Sequence, residues 1–101
     1  MTDILSHVIH QDDIKHEQVR LTVSEFRGVE YLGVRKYYMS FDEEWCAGNE
    51  GVTIPLSLDN SRALFEGLIK VLALAESQEL IMDYFGDMLK KVVDSTSKNQ
   101  L

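Results

Sequence analysis

The chain has one cysteine, one proline and one tryptophan among its 101 residues, and it is short of positive charge. A lone Cys46 excludes an internal disulfide and predicts a reducing compartment, the cytoplasm or, in a eukaryote, the nucleus. No apolar run is long enough to cross a bilayer, because the most apolar stretch, LFEGLIKVLALA, is interrupted by Glu66 and Lys70. The first ten residues, MTDILSHVIH, carry an acid where a secretory signal carries bases, so export is not expected either. Nor is there a phosphate-cradling glycine loop, a nucleophile beside a plausible base or a cofactor fingerprint, which argues against an enzyme and against a bound cofactor. His7, His10 and Asp13 have a chelating spacing only if helical, and their stretch lacks a helical period, so no metal site is expected.

Scarce positive charge is also local. Ten Lys and Arg face seventeen Asp and Glu, a formal net charge of -7. Residues 1–19 contribute -3 and residues 40–60, with Asp42, Glu43, Glu44, Glu50 and Asp59 and no base, contribute -5. Residues 20–39 reverse the sign to +2 through Arg20, Arg27, Arg35 and Lys36 against Glu25 and Glu30. A protein that holds a duplex by counterion release spreads basic charge over a broad face. This chain has only enough for one groove or ridge.

That basic island is also aromatic. In VRLTVSEFRGVEYLGVRKYYM, residues 19–39, arginines alternate with Phe26, Tyr31, Tyr37 and Tyr38. Cations that follow phosphates, beside rings that accept unstacked bases, are the chemistry of a single-stranded nucleic-acid platform. Val19, Leu21 and Val23 alternate with Arg20, Thr22 and Ser24 in the period of two of a half-buried strand, with the apolar set expected to face a core. Phe26-Arg27-Gly28 reads as the reversal, and Val29 to Met39 as the return strand. In register, Tyr31, Arg35 and Tyr37 join the outward set of the first strand, whereas Tyr38 shares the parity of Leu32 and Val34.

Around this hairpin the pattern is plainer. Residues 1–18 carry no clean period and fit a loose helix, an edge strand or a mobile arm with a regulatory role. Residues 40–51 read as an acidic loop, and Val52 to Leu58 as a strand that Pro55 confines to an edge or a bulge. A helix follows, capped by Asp59, Asn60 or Ser61, with Leu64, Phe65, Leu68, Ile69 and Leu72 on one stripe. The stripe resumes after Ser77 through Leu80, Ile81, Tyr84, Phe85, Met88, Leu89 and Val92, as a continuation or a second helix, and the tail from Asp94 reads as frayed. The class is therefore α+β, an antiparallel sheet followed by a long helix or two. A 101-residue chain has a thin core. Its helices carry more apolar surface than the strands can cover, and a homodimer with helices paired through Leu68, Leu72, Leu80, Ile81 and Phe85 would bury it.

From about Leu21 to Leu72 the motif order, TVSEFRGVEYLGVRKYYM and then GVTIPLSLDNSRALFEGL after an acidic loop, resembles the positive cofactor four family of transcriptional coactivators, and short bacterial and phage-type members above all. The resemblance implies a strongly curved sheet backed by a helix, dimerised so that two grooves take antiparallel single strands of DNA. It implies nucleic-acid contact by Phe26, Arg27 and Gly28 at the turn, by Arg35 on the strand, and by Tyr38, which falls where the family often has a stacking tryptophan. Arg20, Lys36 and Tyr37 would support them. Val29 stands where a second basic residue is expected, and Asn49 and Glu50 replace a basic pair. The chain is accordingly expected to divide into an N-terminal arm (1–18), a DNA-binding core (19–77), a dimerising helical extension (78–93) that has no counterpart in the short family core, and a tail (94–101). The implied work is sequence-independent handling of single-stranded DNA, or RNA, with replication, recombination, repair or transcription proteins as possible partners. The acidic balance supports the competing expectation of a protein-interaction module or DNA mimic with no nucleic-acid affinity.

Overall fold

The computed structural model describes residues 2–98. Four strands precede two helices: β1 (Thr2–Asp12), β2 (Glu17–Phe26), β3 (Val29–Met39), β4 (Trp45–Pro55), α1 (Leu58–Ala75) and α2 (Gln78–Lys98). The strands form one antiparallel sheet in the order β1-β2-β3-β4. The chain divides into two compact units, residues 1–61 and 62–101, with the sheet in the first and nearly all of the helical part in the second. The α+β class, the antiparallel sheet and the two-helix form of the C-terminal segment are as expected from the sequence. No helix among the described residues is long and apolar enough to cross a membrane.

The β2–β3 hairpin is the regular part of the sheet. Its turn is only two residues, Arg27 and Gly28, with φ of 53° and 78°. Two consecutive positive φ values make the mirror-image turn whose twist matches the strands it joins. Phe26 pairs with Val29, and the register runs without interruption to Glu17 opposite Tyr38. Hence Gln18, Arg20, Thr22 and Ser24 share a face with Tyr37, Arg35, Gly33 and Tyr31, while Val19, Leu21 and Val23 share the other with Lys36, Val34 and Leu32.

Irregularities sit on the two edge strands. Of the three forms open to the N-terminal segment, Thr2–Asp12 take the edge strand, β1 pairing with β2, while Glu17 and Gln18 already belong to β2; the β1 register slips between Asp3 and Leu5 and between Val8 and His10. Each slip inserts one residue, Ile4 and then Ile9, and such bulges bend a strand and raise its twist. β4 begins at Trp45, inside the stretch read as loop; the connection is cut to Ser40–Glu44, where the Ser40 and Glu43 amides bond to the Glu44 and Ser40 carbonyls. Gly48, Asn49 and Glu50 together oppose Lys36, a bulge rich in polar residues and glycine that hides the strand from a period-two reading. Pro55 ends this edge strand.

Burial departs from the expected pattern. Of the apolar face only Leu32 is buried; Val19, Leu21 and Val23 are half-buried and Val34 and Val52 are exposed. The most buried side chains, Thr22, Ser24, Gln18 and Tyr37, lie on the polar face. They are covered by their neighbours on a curled sheet, Arg20 lying over the Tyr37 ring and the Tyr37 hydroxyl reaching Asp3. Gly33 belongs to the same packing, since a Cβ there would meet Thr53 Cγ2 at 2.9 Å and Thr22 Oγ1 at 3.0 Å. Gly33→Ala is therefore expected to destabilise by about 1–3 kcal/mol through overpacking. Denaturant unfolding measures it, and an unchanged midpoint would mean that Thr53 turns aside.

Helix α1 is capped by Ser57, whose Oγ accepts the Asn60 amide at 3.1 Å, rather than by Asp59, Asn60 or Ser61. Ser57 takes the role because Pro55 ends the strand two residues before it, and Asn60 instead donates its side-chain amide to the Pro55 carbonyl. Ser77 starts α2 in the same way, accepting the Leu80 amide at 3.2 Å, so the helix restarts rather than continues. α2 runs to Lys98, past the expected fraying point at Asp94; the last part of that tail, 99–101, lies outside the described residues. No α1 residue is buried, and on α2 Leu80, Tyr84, Met88, Leu89 and Val92 are exposed.

Candidate nucleic-acid interface

The regular register of β2 and β3 decides which side chains can act together. Arg20 lies directly opposite Arg35, and Tyr31 and Tyr37 flank them on the same face. Phe26 follows on the same parity at the hairpin end, 43% exposed, with the Arg27 guanidinium 5.0 Å from its ring centroid. Three arginines, two tyrosines and a phenylalanine thus form one ridge.

The hydrogen bonds of the ridge are mostly neutral. Arg20 donates from Nε to Gln18 Oε1 at 2.8 Å and from Nη1 to Ser6 Oγ at 3.3 Å, and its guanidinium lies 4.1 Å from the Tyr37 centroid. Arg35 donates to the Gly48 carbonyl at 3.1 Å. None of Arg20, Arg27 and Arg35 forms an ion pair among the described residues. The one acid in this network is Asp3 on β1, which accepts the hydroxyls of Ser24 at 3.0 Å and Tyr37 at 3.2 Å. Thr22 sits between the arginines and Ser24 with a fully buried hydroxyl that has no hydrogen-bond partner among the described residues.

The opposite face has the reverse character. Lys36 is held by Glu17 at 3.1 Å and Glu50 at 3.5 Å, and the hydrogen bond to Glu17 above all raises its pKa. Tyr38 pairs with Glu17 and sits beside Lys36, 5.7 Å from the ammonium to the ring centroid. Burial, then the charge of Glu50, raises the pKa of its hydroxyl. Gly48 lies so close beneath the Tyr38 ring that a Cβ could not be accommodated.

The expected site residues therefore divide. Phe26, Arg20, Arg35 and Tyr37 share one face, with Arg27 and Gly28 at its tip, while Lys36 and Tyr38 stand on the other. Asp3, Ser6, Ser24 and Thr22 complete the polar face without having been singled out in the sequence. The alternation of Gln18, Arg20, Thr22 and Ser24 was the available signal for the β2 members, whereas Asp3 and Ser6 could be assigned only by the β1–β2 register. His7 and His10 pair with Leu21 and Val19, and no three His, Cys, Asp or Glu among the described residues are placed to hold a metal.

With this geometry in place, the relationship to known proteins is informative. Residues 15–64, which span β2 to β4 and the start of α1, match the family described as Transcriptional Coactivator p15 (PC4). A solved bacteriophage T5 homolog of the eukaryotic transcription coactivator PC4, implicated in recombination-dependent DNA replication, is 27% identical and superposes with a TM-score of 0.64. That similarity covers 91% of this chain and 97% of the phage protein. A PC4 homolog from Burkholderia pseudomallei shares the fold at 20% identity and a TM-score of 0.52, covering 75% of this chain and 92% of that one. No curated protein matches the chain.

Proposed function

Because residues 15–64 make this chain a member of the transcriptional coactivator p15 (PC4) family, we propose that it is a homodimeric, sequence-independent single-stranded-DNA-binding protein that acts on unwound DNA. The observation that carries this reading is the charge asymmetry of the β2–β3 hairpin. Among the described residues, Arg20, Arg27 and Arg35 have no carboxylate partner on the face that also carries Phe26, Tyr31 and Tyr37, while the hairpin's only lysine is neutralised twice on the other. Guanidinium groups without carboxylates are available to phosphates.

Confinement to a single ridge suits one strand better than a duplex, whose binding draws on a wider basic face. Replication and recombination are the processes favoured, since the phage T5 homolog is implicated in recombination-dependent DNA replication. RNA offers the same phosphates and unstacked bases, so an RNA strand belongs in the same test. Dimerisation is supported by the helical stripes, where Leu68 and Leu80 are exposed and Leu72, Ile81 and Phe85 only half-covered within one chain.

The test is fluorescence anisotropy of a labelled oligonucleotide of about 20 nucleotides, longer than one site of this kind, titrated as single strand and as duplex at two salt concentrations. Single-strand binding that exceeds duplex binding and weakens with salt is expected. No binding at low salt would remove the reading in favour of an acidic protein-interaction module.

A further inference from the structure

At the end of the sheet opposite the Arg27 turn, we infer a docking tip for a second protein, one that offers Phe41 an apolar pocket rimmed by lysines and arginines. Two connections meet there. The β1–β2 turn, residues 13–16, and the β3–β4 connection, Ser40–Glu44, flank the last pairing of the hairpin, where the Met39 amide donates to the His16 carbonyl at 3.1 Å. Each presents one large apolar side chain to solvent, Ile14 being 91% exposed and Phe41 completely so. Trp45 follows, half-buried, opposite Met39. A fully exposed Phe41 contributes no burial to its own fold.

The backbone beneath these side chains is pinned. Asp12 Oδ1 accepts the amides of Ile14 and Lys15 at 3.0 and 3.1 Å. In the other connection the Ser40 and Glu43 amides bond to the Glu44 and Ser40 carbonyls, and Ser40 Oγ accepts the Glu44 amide at 3.2 Å. An aromatic ring with two side-chain torsions on such a loop loses little freedom on binding, as an anchor residue requires. Charge then selects the occupant. Asp13, Asp42, Glu43 and Glu44 accompany the two apolar residues, all exposed and none in an ion pair among the described residues, with Lys15 as the only basic partner in either connection. These carboxylates repel phosphates, and two copies of this chain meeting here would set like charge against like. A protein with a basic rim is instead steered to the site. Over the ten residues of β2 the tip stands about 30 Å along the strand from the Arg27 turn, so docking leaves that turn open.

The first probe is the full chain with a photoreactive benzoylphenylalanine in place of Phe41, illuminated in the cells that produce the protein. A cross-link to a different protein is expected, at a peptide where lysines or arginines border apolar residues. It should disappear when the chain also carries Asp42→Asn, Glu43→Asn and Glu44→Gln; asparagine suits position 43 because Glu43 sits at φ 62°. Kinetics with the purified partner separate the roles. Phe41→Ser should raise the dissociation rate about thirtyfold or more, the loss at an anchor residue. The triple neutral variant should slow association and flatten its salt dependence. Both variants change only exposed side chains, so each should keep the wild-type melting temperature and oligonucleotide affinity. A cross-link only to a second copy or to nucleic acid, no cross-link, or a partner indifferent to Phe41→Ser would overturn the inference. Failure of the wild type to bind oligonucleotides would overturn the proposed function alone.

Discussion

Replacing Arg27 by Asn and Arg35 by Gln is expected to lower single-strand affinity about a hundredfold or more, two charge-assisted hydrogen bonds being worth roughly 1.5–3 kcal/mol each. Both substitutions are chosen for the backbone they occupy. Arg27 sits at φ 53°, where asparagine is among the best-tolerated residues, so the turn should keep or gain stability. Arg35 donates one bond to the Gly48 carbonyl, which a glutamine amide can supply. The melting temperature should therefore stay within a degree or two while the salt dependence becomes shallower, by about 0.7 in log–log slope for each phosphate that is no longer neutralised. Titration at several salt concentrations measures both quantities. Unchanged affinity in a folded variant would move the interface off this ridge.

The second large effect concerns assembly. Leu68→Lys combined with Leu80→Glu should convert the proposed dimer to monomer. In one chain these side chains are 53% and 48% exposed, and at such positions substitution ordinarily changes stability by less than about 0.5 kcal/mol. Across a paired helical surface each would be buried twice, once per protomer, at about 1.5–3 kcal/mol for every apolar side chain withdrawn from water. The dimer should then weaken by several orders of magnitude in dissociation constant. Sedimentation equilibrium reads the change directly. A variant that retains the wild-type mass would place the dimer contact elsewhere, and a wild-type protein already monomeric at micromolar concentration would remove the proposed homodimer altogether.

How much of this was legible in the sequence depended on the regularity of each strand. β2 and β3 could be read because they are free of bulges: Val19, Leu21 and Val23 keep strict alternation, and Arg27-Gly28 marks a reversal tight enough to fix the register. The parity of Tyr38 followed from the same alternation. β1 could not be settled, since Ile4 and Ile9 are the bulged residues and their insertion turns alternation into the adjacent apolar pairs Ile4-Leu5 and Val8-Ile9. β4 lost its first half to the Gly48–Glu50 bulge for a similar reason. The cap of α1 was misplaced by a few residues because Ser57, Asp59, Asn60 and Ser61 are all good caps, and only the end of β4 at Pro55 distinguishes them.

Composition misled on burial in an instructive way. Apolar alternation marks the side of a strand that favours cover, but it does not say whether the same chain supplies that cover. In β2 the apolar side is half-open, and the polar side is packed by its own arginines, tyrosines and small residues. The unneutralised arginines could not be identified from sequence either, because Glu17, Glu25 and Glu30 lie as near to them along the chain as to Lys36. Only the register sends those acids to the other face.

The two-residue turn at Arg27 and Gly28 also constrains how this protein can change length. An inserted residue within strand β3, before Arg35, would exchange the two sides of everything beyond it, presenting Lys36 and Tyr38 where Arg35 and Tyr37 now stand. The β4 bulge already absorbs unequal numbers of residues opposite Lys36, and the tip at Ser40–Glu44 connects strands without setting the parity of Arg35. Lineages descended from this chain should therefore vary in length at residues 40–50 and hold residues 17–37 to a constant count, whatever becomes of the individual side chains.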